Sequence, residues 1–304
     1  MNTRMHSLGP LVGVLALGCS SSAPATRSEP PTPTPTAEQA EHQPAQKSAA
    51  APDRQPEPLE AIDWSAHFAD QQGCFAMLSV PGERWVMNDS SRCKEAFRPF
   101  STFKIANSLI GLETGVLASA DTVIKWDARA YPASDWWPEN WKEDNDLRLA
   151  FRRSALPYFR KLATRIGEST MKTQLDRLGY GNRDISGGQD LFWLTGGLAI
   201  SAVEQIEFLR ALHEGRLPVS QRSRDIVEDI MVQEQVDTHV LRAKTGTGMA
   251  GEGHALGWFV GFVERAGAVH YFAINRSGTS YDQIPRKQTM TMARTLLSQL
   301  GALP

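Results

Sequence analysis

No apolar run in this sequence approaches the ~18 residues that a membrane-spanning helix requires, which excludes a channel, transporter or multispan receptor for the folded part. No excess of one charge is present either. Lys and Arg number 32 against 34 Asp and Glu, a net charge of −2, and such a balance gives no footing for nucleic acid or an acidic surface as partner. The seven histidines include no pair at ligand spacing on a plausible helix, and nothing among the three cysteines suggests a metal site. No internal repeat is visible. What remains is an ordinary globular balance, 41% hydrophobic and 22% charged over 304 residues, enough for a sizeable core. Length alone leaves open whether that core belongs to one large domain or two smaller ones.

The first residues differ in kind. Arg4 and His6 precede an uncharged stretch from Leu8 to Cys19, the pattern of a secretory signal over residues 1–19. Its end, Leu15-Ala16-Leu17-Gly18-Cys19, resembles the lipobox of bacterial lipoproteins, in which the cysteine is lipidated and becomes the mature N-terminus. Ala16 stands where Leu is preferred and Leu17 where a smaller residue is, so an ordinary cleaved signal with a chance Cys is the alternative. Residues 20–57, with Pro30-Pro-Thr-Pro-Thr-Pro-Thr36 and many Ala, Ser, Gln and Glu, lack the apolar groups to offset their ordering entropy and read as a disordered tether. The expectation is an exported, periplasmic protein touching the membrane only through a lipid anchor. With Cys19 as anchor, Cys74 and Cys93 are left as a pair in an oxidising compartment, where a disulfide is expected; two buried free thiols are the alternative.

The folded domain is expected over 58–304. A helix is predicted over Leu59–Gln71, then strands Cys74–Val80 and Arg84–Met87 about the turn pair Pro81-Gly82. From Ser101 to Ile230 the pattern is mostly helical, with a Trp-rich connection over Asp135–Trp141. Strands return at Val240–Lys244, Leu256–Val263 and Ala268–Ile274, with a hairpin turn in Glu264-Arg-Ala-Gly267, and a helix closes the chain over Pro285–Leu300. Strands at both ends with helices between them predict an α+β fold. One antiparallel sheet is built from the two terminal segments, flanked by helices, with a helical subdomain inserted.

Chemistry concentrates at two places. In Pro99-Phe-Ser-Thr-Phe-Lys104, Pro99 precedes the onset of helical periodicity, so Ser101 is expected at a helix N-terminus with Lys104 one turn below on the same face. There the helix dipole and apolar neighbours such as Phe103 and Ile105 both lower a lysine pKa, and a neutral lysine beside a serine is a nucleophile–base pair. The spacing alone is weak, since roughly one chance Ser-x-x-Lys occurs per chain of this size. The second place is Lys244-Thr245-Gly246-Thr247 at a strand end. A glycine there lets a substrate amide approach the backbone, while Lys244 and Thr245 offer charge and hydrogen bonds to a carboxylate.

With both elements in this order the chain resembles the penicillin-recognising Ser-x-x-Lys family, with its β-lactamase/transpeptidase fold. Closer reading resembles its class D, oxacillinase-type β-lactamases. The matching stretches are Ser101-Thr-Phe-Lys-Ile-Ala106, Tyr180-Gly-Asn182, Phe192-Trp-Leu194 with Leu198-Ala-Ile-Ser201, and Gly257-Trp-Phe-Val-Gly261. The resemblance implies a small-molecule β-lactam substrate and no cofactor, with CO2 or bicarbonate needed to turn Lys104 into N6-carboxylysine. Ser101 would be acylated, Lys104 would act as general base for acylation and deacylation, and Trp193 would hold the carbamate through its indole N–H. Ser154 would relay a proton to the lactam nitrogen beside Lys244. The N–H groups of Ser101 and Thr247 would form the oxyanion hole, and Arg286 would grip the substrate carboxylate.

Two departures matter. The second motif reads Ser154-Ala155-Leu156 where the family usually has Ser-x-Val, so a larger Leu156 beside the carbamate bears on the hydrolytic water. Thr247 stands where many relatives carry an aromatic, which leaves the substrate spectrum, carbapenems included, open. Two other readings share the chemistry: a penicillin-sensor-like domain that is acylated without turnover, and a cell-wall D,D-peptidase, whose second motif would usually be Ser-x-Asn. Oligomeric state is not legible.

Overall fold

The structure is a computed structural model that describes residues 62–69 and 71–304. The signal, Cys19, the tether and the first part of the helix expected from Leu59 lie outside the described residues.

The described chain begins with a short helix, α1 (Trp64–Phe68), capped by the Asp63 carboxylate, which accepts from the N–H groups of Ser65 and Ala66. It stops short of the expected Gln71 because Ala69 turns to a φ of 41°, outside helical space. Strands β1 (Gly73–Val80) and β2 (Arg84–Met87) follow, and helix α2 (Ser90–Lys94) carries Cys93. After a 3-10 turn over Phe100–Phe103 comes α3 (Lys104–Glu113), and then α4 (Leu147–Arg153), α5 (Leu156–Ile166), α6 (Glu168–Leu178), α7 (Ala202–His213) and α8 (Gln221–Ile230). The chain returns through β3 (Val232–Val236), β4 (His239–Gly251), β5 (His254–Arg265) and β6 (Ala268–Gly278), and ends in α9 (Arg286–Gln299).

The sheet is antiparallel with order β2-β1-β6-β5-β4-β3, so both terminal segments meet in one sheet, as expected. Its two faces are both buried. Cys74, Ala76 and Leu78 of β1 join one core with the inserted helices, while Phe75 and Met77 join a second core with Ala293, Leu296 and Leu297 of α9. Burial on both faces is why these strands read as near-continuous apolar runs rather than alternations. The β5–β6 hairpin turns on Ala266-Gly267, both at positive φ (50° and 79°) between the paired Arg265 and Ala268, as a two-residue primed turn requires. Cys74 and Cys93 are joined in a disulfide, with Cα atoms 5.1 Å apart.

Three further features differ from expectation. Strand β3 was not anticipated: Val-Gln-Glu-Gln-Val is a half-exposed edge strand with little apolar signal. Strand β4 runs seven residues past Lys244, because it stays paired with β5 out to Gly251 opposite His254. And Ser101 sits in the 3-10 turn that feeds α3, so Lys104 opens the α-helix itself.

Candidate active site

The nucleophile segment is built by close approach of backbone to backbone. Thr102 Oγ1 donates to the Pro99 carbonyl at 2.8 Å and accepts from Gln205 Nε2 at 2.9 Å, pinning the turn that carries Ser101. Phe100, just before it, takes a φ of 48°, a strained conformation for a bulky residue. Strand β4 lies against this turn so tightly that a Cβ on Gly246 would come within 2.7 Å of the Pro99 carbonyl oxygen. One on Gly248 would come within 2.2 Å of the Phe100 ring. The glycine of Lys-Thr-Gly is therefore needed by the packing before any substrate arrives.

Ser101 and Lys104 meet as the spacing predicts: Lys104 Nζ donates to Ser101 Oγ at 2.7 Å. Lys104 is 1% exposed, and burial pushes its amine down to about 7, because the charged form loses its hydration. The Phe159 ring of α5 lies 5.2 Å from Nζ. At neutral pH roughly half of such an amine carries a lone pair able to accept the Ser101 proton.

Ser154 caps α4 at a φ of 56°, the left-handed region, and its Oγ accepts from Lys244 Nζ at 3.1 Å. The carbonyl of Arg153, immediately before it, accepts from the Trp141 indole at 2.9 Å, so the Trp-rich connection helps fix this turn. Lys244 is buried, and its pKa lies well below the usual lysine range, first from burial and then from the charges of Lys104 and Arg286. Arg286 is exposed at the first residue of α9, close enough for its charge to act on Lys244. Leu156 opens α5, half-buried and one turn before Phe159.

Trp193 is fully buried, its ring centroid 5.2 Å from Phe103 and 4.9 Å from Phe192. Its carbonyl accepts from the Phe100 N–H at 3.1 Å. Its indole N–H is buried without a partner among the described residues. Leaving a buried donor unpaired costs about 1–3 kcal/mol. Strand β3 pairs with β4 only as far as Arg242. Beyond it, Lys244, Thr245, Gly246 and Thr247 pair with β5 on one side, and no strand among the described residues pairs with them on the other, which leaves an edge for a substrate amide.

Of the residues read from the sequence, the structure joins Ser101 to Lys104 and Ser154 to Lys244 by hydrogen bonds, sets Gly246 against the turn that carries Ser101, and ties the Trp193 carbonyl to that turn through Phe100. Arg286 reaches Lys244 by charge alone, Cys19 lies outside the described residues, and the disulfide pair ties β1 to α2. Sequence reasoning missed Phe151 and Phe159, whose rings lie 5.6 Å from Lys244 Nζ and 5.2 Å from Lys104 Nζ. Each is three residues from a motif position, Ser154 or Leu156, so helical spacing was the available signal. Among the described residues no cluster of His, Cys, Asp or Glu is arranged to hold a metal ion.

The profile of the family described as penicillin binding protein transpeptidase domain matches residues 50–297. The chain is 38% identical over 247 residues to β-lactamase OXA-48 of Klebsiella pneumoniae, covering 81% of this chain and 90% of that protein. It is 31% identical over 249 residues to the regulatory protein BlaR1 of Bacillus licheniformis, covering 81% of this chain but 40% of that one. Among solved structures, the class D β-lactamase YbXI from Nostoc superposes with a TM-score of 0.74 at 34% identity, covering 80% of this chain and all of that one.

Proposed function

The chain belongs to the penicillin-binding protein transpeptidase family and, within it, to the class D β-lactamases, and we propose that it hydrolyses β-lactam antibiotics through an acyl-enzyme on Ser101. The observation that carries this reading is the buried Ser101–Lys104 pair, 2.7 Å apart, with the lysine held down to about 7.

Ser101 Oγ attacks the lactam carbonyl as Lys104 takes its proton. The N–H groups of Ser101 and Thr247 receive the developing oxyanion. As the C–N bond breaks, Ser154 gives its proton to the lactam nitrogen and is resupplied by Lys244, 3.1 Å away. Lys104 passes the proton it took from Ser101 on to the depleted Lys244 and is free to act again. In the second half it accepts a proton from water as the water oxygen bonds to the acyl carbon, the ester C–O bond breaks, and Lys104 returns that proton to Ser101 Oγ. A CO2-derived carbamate on Lys104 supplies a carboxylate-like base at this position, and the unpaired indole N–H of Trp193 supports it. Lys244 also gains: an anionic neighbour in place of a cationic one favours its ammonium form, the form that can resupply Ser154. Arg286 at the rim suits the substrate carboxylate. For the N-terminus, the reading is export and lipidation at Cys19 with periplasmic residence, supported by the sequence pattern alone.

The likeness to the regulatory protein BlaR1 favours a second reading, acylation without turnover. Protein lacking the first 57 residues, mixed with a chromogenic cephalosporin in excess, is expected to turn over many times. A single stoichiometric burst sinks the hydrolase reading and selects the sensor.

A further inference from the structure

Arg98 lies three residues before Ser101, and no carboxylate pairs with it among the described residues. Its guanidinium instead holds two backbone carbonyls. Nε donates to Gly196 at 2.9 Å, and Nη1 donates to Ala250 at 2.8 Å. Gly196 is three residues beyond Trp193, in a loop so tight that a Cβ there would meet the Ser186 carbonyl oxygen at 2.0 Å. Ala250 is three residues beyond Thr247, near the end of β4.

The stem of Arg98 is itself fixed. Its own carbonyl accepts from the Trp258 indole at 3.0 Å. Phe97 exchanges two backbone hydrogen bonds with Ile200, and the Phe100 N–H reaches Trp193 O. One planar cation therefore ties together three segments: the turn that carries Ser101, the loop that sets Trp193, and the strand that presents Thr247. The fork serves the two carbonyls from two separate nitrogens, Nε and Nη1, whereas an ammonium must reach both from a single centre.

We propose that Arg98 is a positioning residue that couples the Trp193 loop to the β4 edge, so that the carbamate pocket and the oxyanion hole keep their alignment on Ser101. It rests on the reading of Lys104 as carbamylated. Without the fork the Trp193 loop and the end of β4 loosen independently. The indole N–H then stabilises the carbamate less well, and the Thr247 N–H drifts from the reacting carbonyl.

The test uses Arg98→Met, which keeps the stem and loses every donor, and Arg98→Lys, which keeps the charge and one donor centre. Carbamate on Lys104 is titrated by NMR with 13C-bicarbonate in the absence of substrate, and kcat is then measured at saturating bicarbonate. In Arg98→Met the half-saturating bicarbonate is expected to rise about 10-fold and kcat to fall about 10-fold, with Arg98→Lys between it and the unaltered protein. Unaltered half-saturation and kcat in Arg98→Met, beside a lowered Tm alone, overturn the proposal and leave a plain structural brace. Should Arg98→Met fail to fold, Arg98→Lys decides, and values equal to the unaltered protein's overturn it. Absence of a carbamate signal in the unaltered protein refutes the reading of Lys104 and the coupling with it, an outcome distinct from equal signals in all three proteins.

Discussion

Lowering the pH perturbs the Lys104 amine twice, and the size of the response follows from its burial. Carbamate formation needs the neutral amine and releases a proton as N–C bond formation leaves an anion. At fixed dissolved CO2 the half-saturating concentration therefore scales with the proton concentration, multiplied by the inverse of the neutral fraction. For an amine held at about 7, the half-saturating CO2 rises about 11-fold from pH 9 to 8, where the amine is already neutral. From pH 7 to 6 it rises about 55-fold, because the neutral fraction also falls, from one half to roughly one eleventh. An ordinary lysine near 10.5 stays charged throughout and gives about 100-fold per pH step over the whole range. Lys244, regaining a proton as its neighbour turns anionic, flattens the response and never steepens it. The assay is a 13C carbamate titration on substrate-free protein at constant CO2 activity from pH 6 to 9. A steady 100-fold per step up to pH 9 would refute the desolvated-base account of Lys104.

The same burial makes Lys104 costly to the fold. Its folded pKa is depressed, so the penalty is complete below about pH 7 and fades as pH rises toward 10.5. Lys104→Met is accordingly expected to abolish turnover yet stabilise the bicarbonate-free protein by up to ~5 kcal/mol below pH 7, the gain shrinking toward pH 10 in denaturant melts; equal stability at both pH values refutes it. Arg286→Ala is expected to raise KM about 10-fold with kcat little changed, as loss of a rim contact to the substrate carboxylate dictates; a matching fall in kcat assigns Arg286 a different role. Breaking the Cys74–Cys93 bond with paired serines removes a cross-link over 19 residues and is expected to cost about 3 kcal/mol, read from the urea midpoint. Leu156→Val is expected to shorten the life of the acyl-enzyme in mass spectra taken at steady state; an unchanged acylated fraction shows that Leu156 does not crowd the water.

Most of the sheet was legible because its strands are buried on both faces and therefore apolar at nearly every position. The exception, β3, carries two glutamines and a glutamate on an exposed edge, where nothing selects for apolar residues. Ser101 and Lys104 were legible as spacing, and Ser154, Trp193 and Arg286 only through resemblance, since a lone Ser, Trp or Arg carries no positional message. The left-handed turn at Ser154 had no sequence signal, because Ser is not a residue that announces a positive φ. Arg98 was invisible for a related reason: both its partners are backbone carbonyls, and carbonyls have no letter in the sequence.

By itself the sequence determined the class of fold, the order of its elements and the pairing of a serine with a lysine one helical turn away. Those are local matters of periodicity, turn chemistry and spacing. Only the tertiary structure decided how deeply Lys104 is buried. Its amine is pushed to about 7 because the fold buries it, with the Phe159 ring of α5 5.2 Å away, and excludes the water that would keep it charged. Tertiary packing also leaves the Trp193 N–H without a partner among the described residues, and brings β4 against the Ser101 turn at a distance that only glycine tolerates.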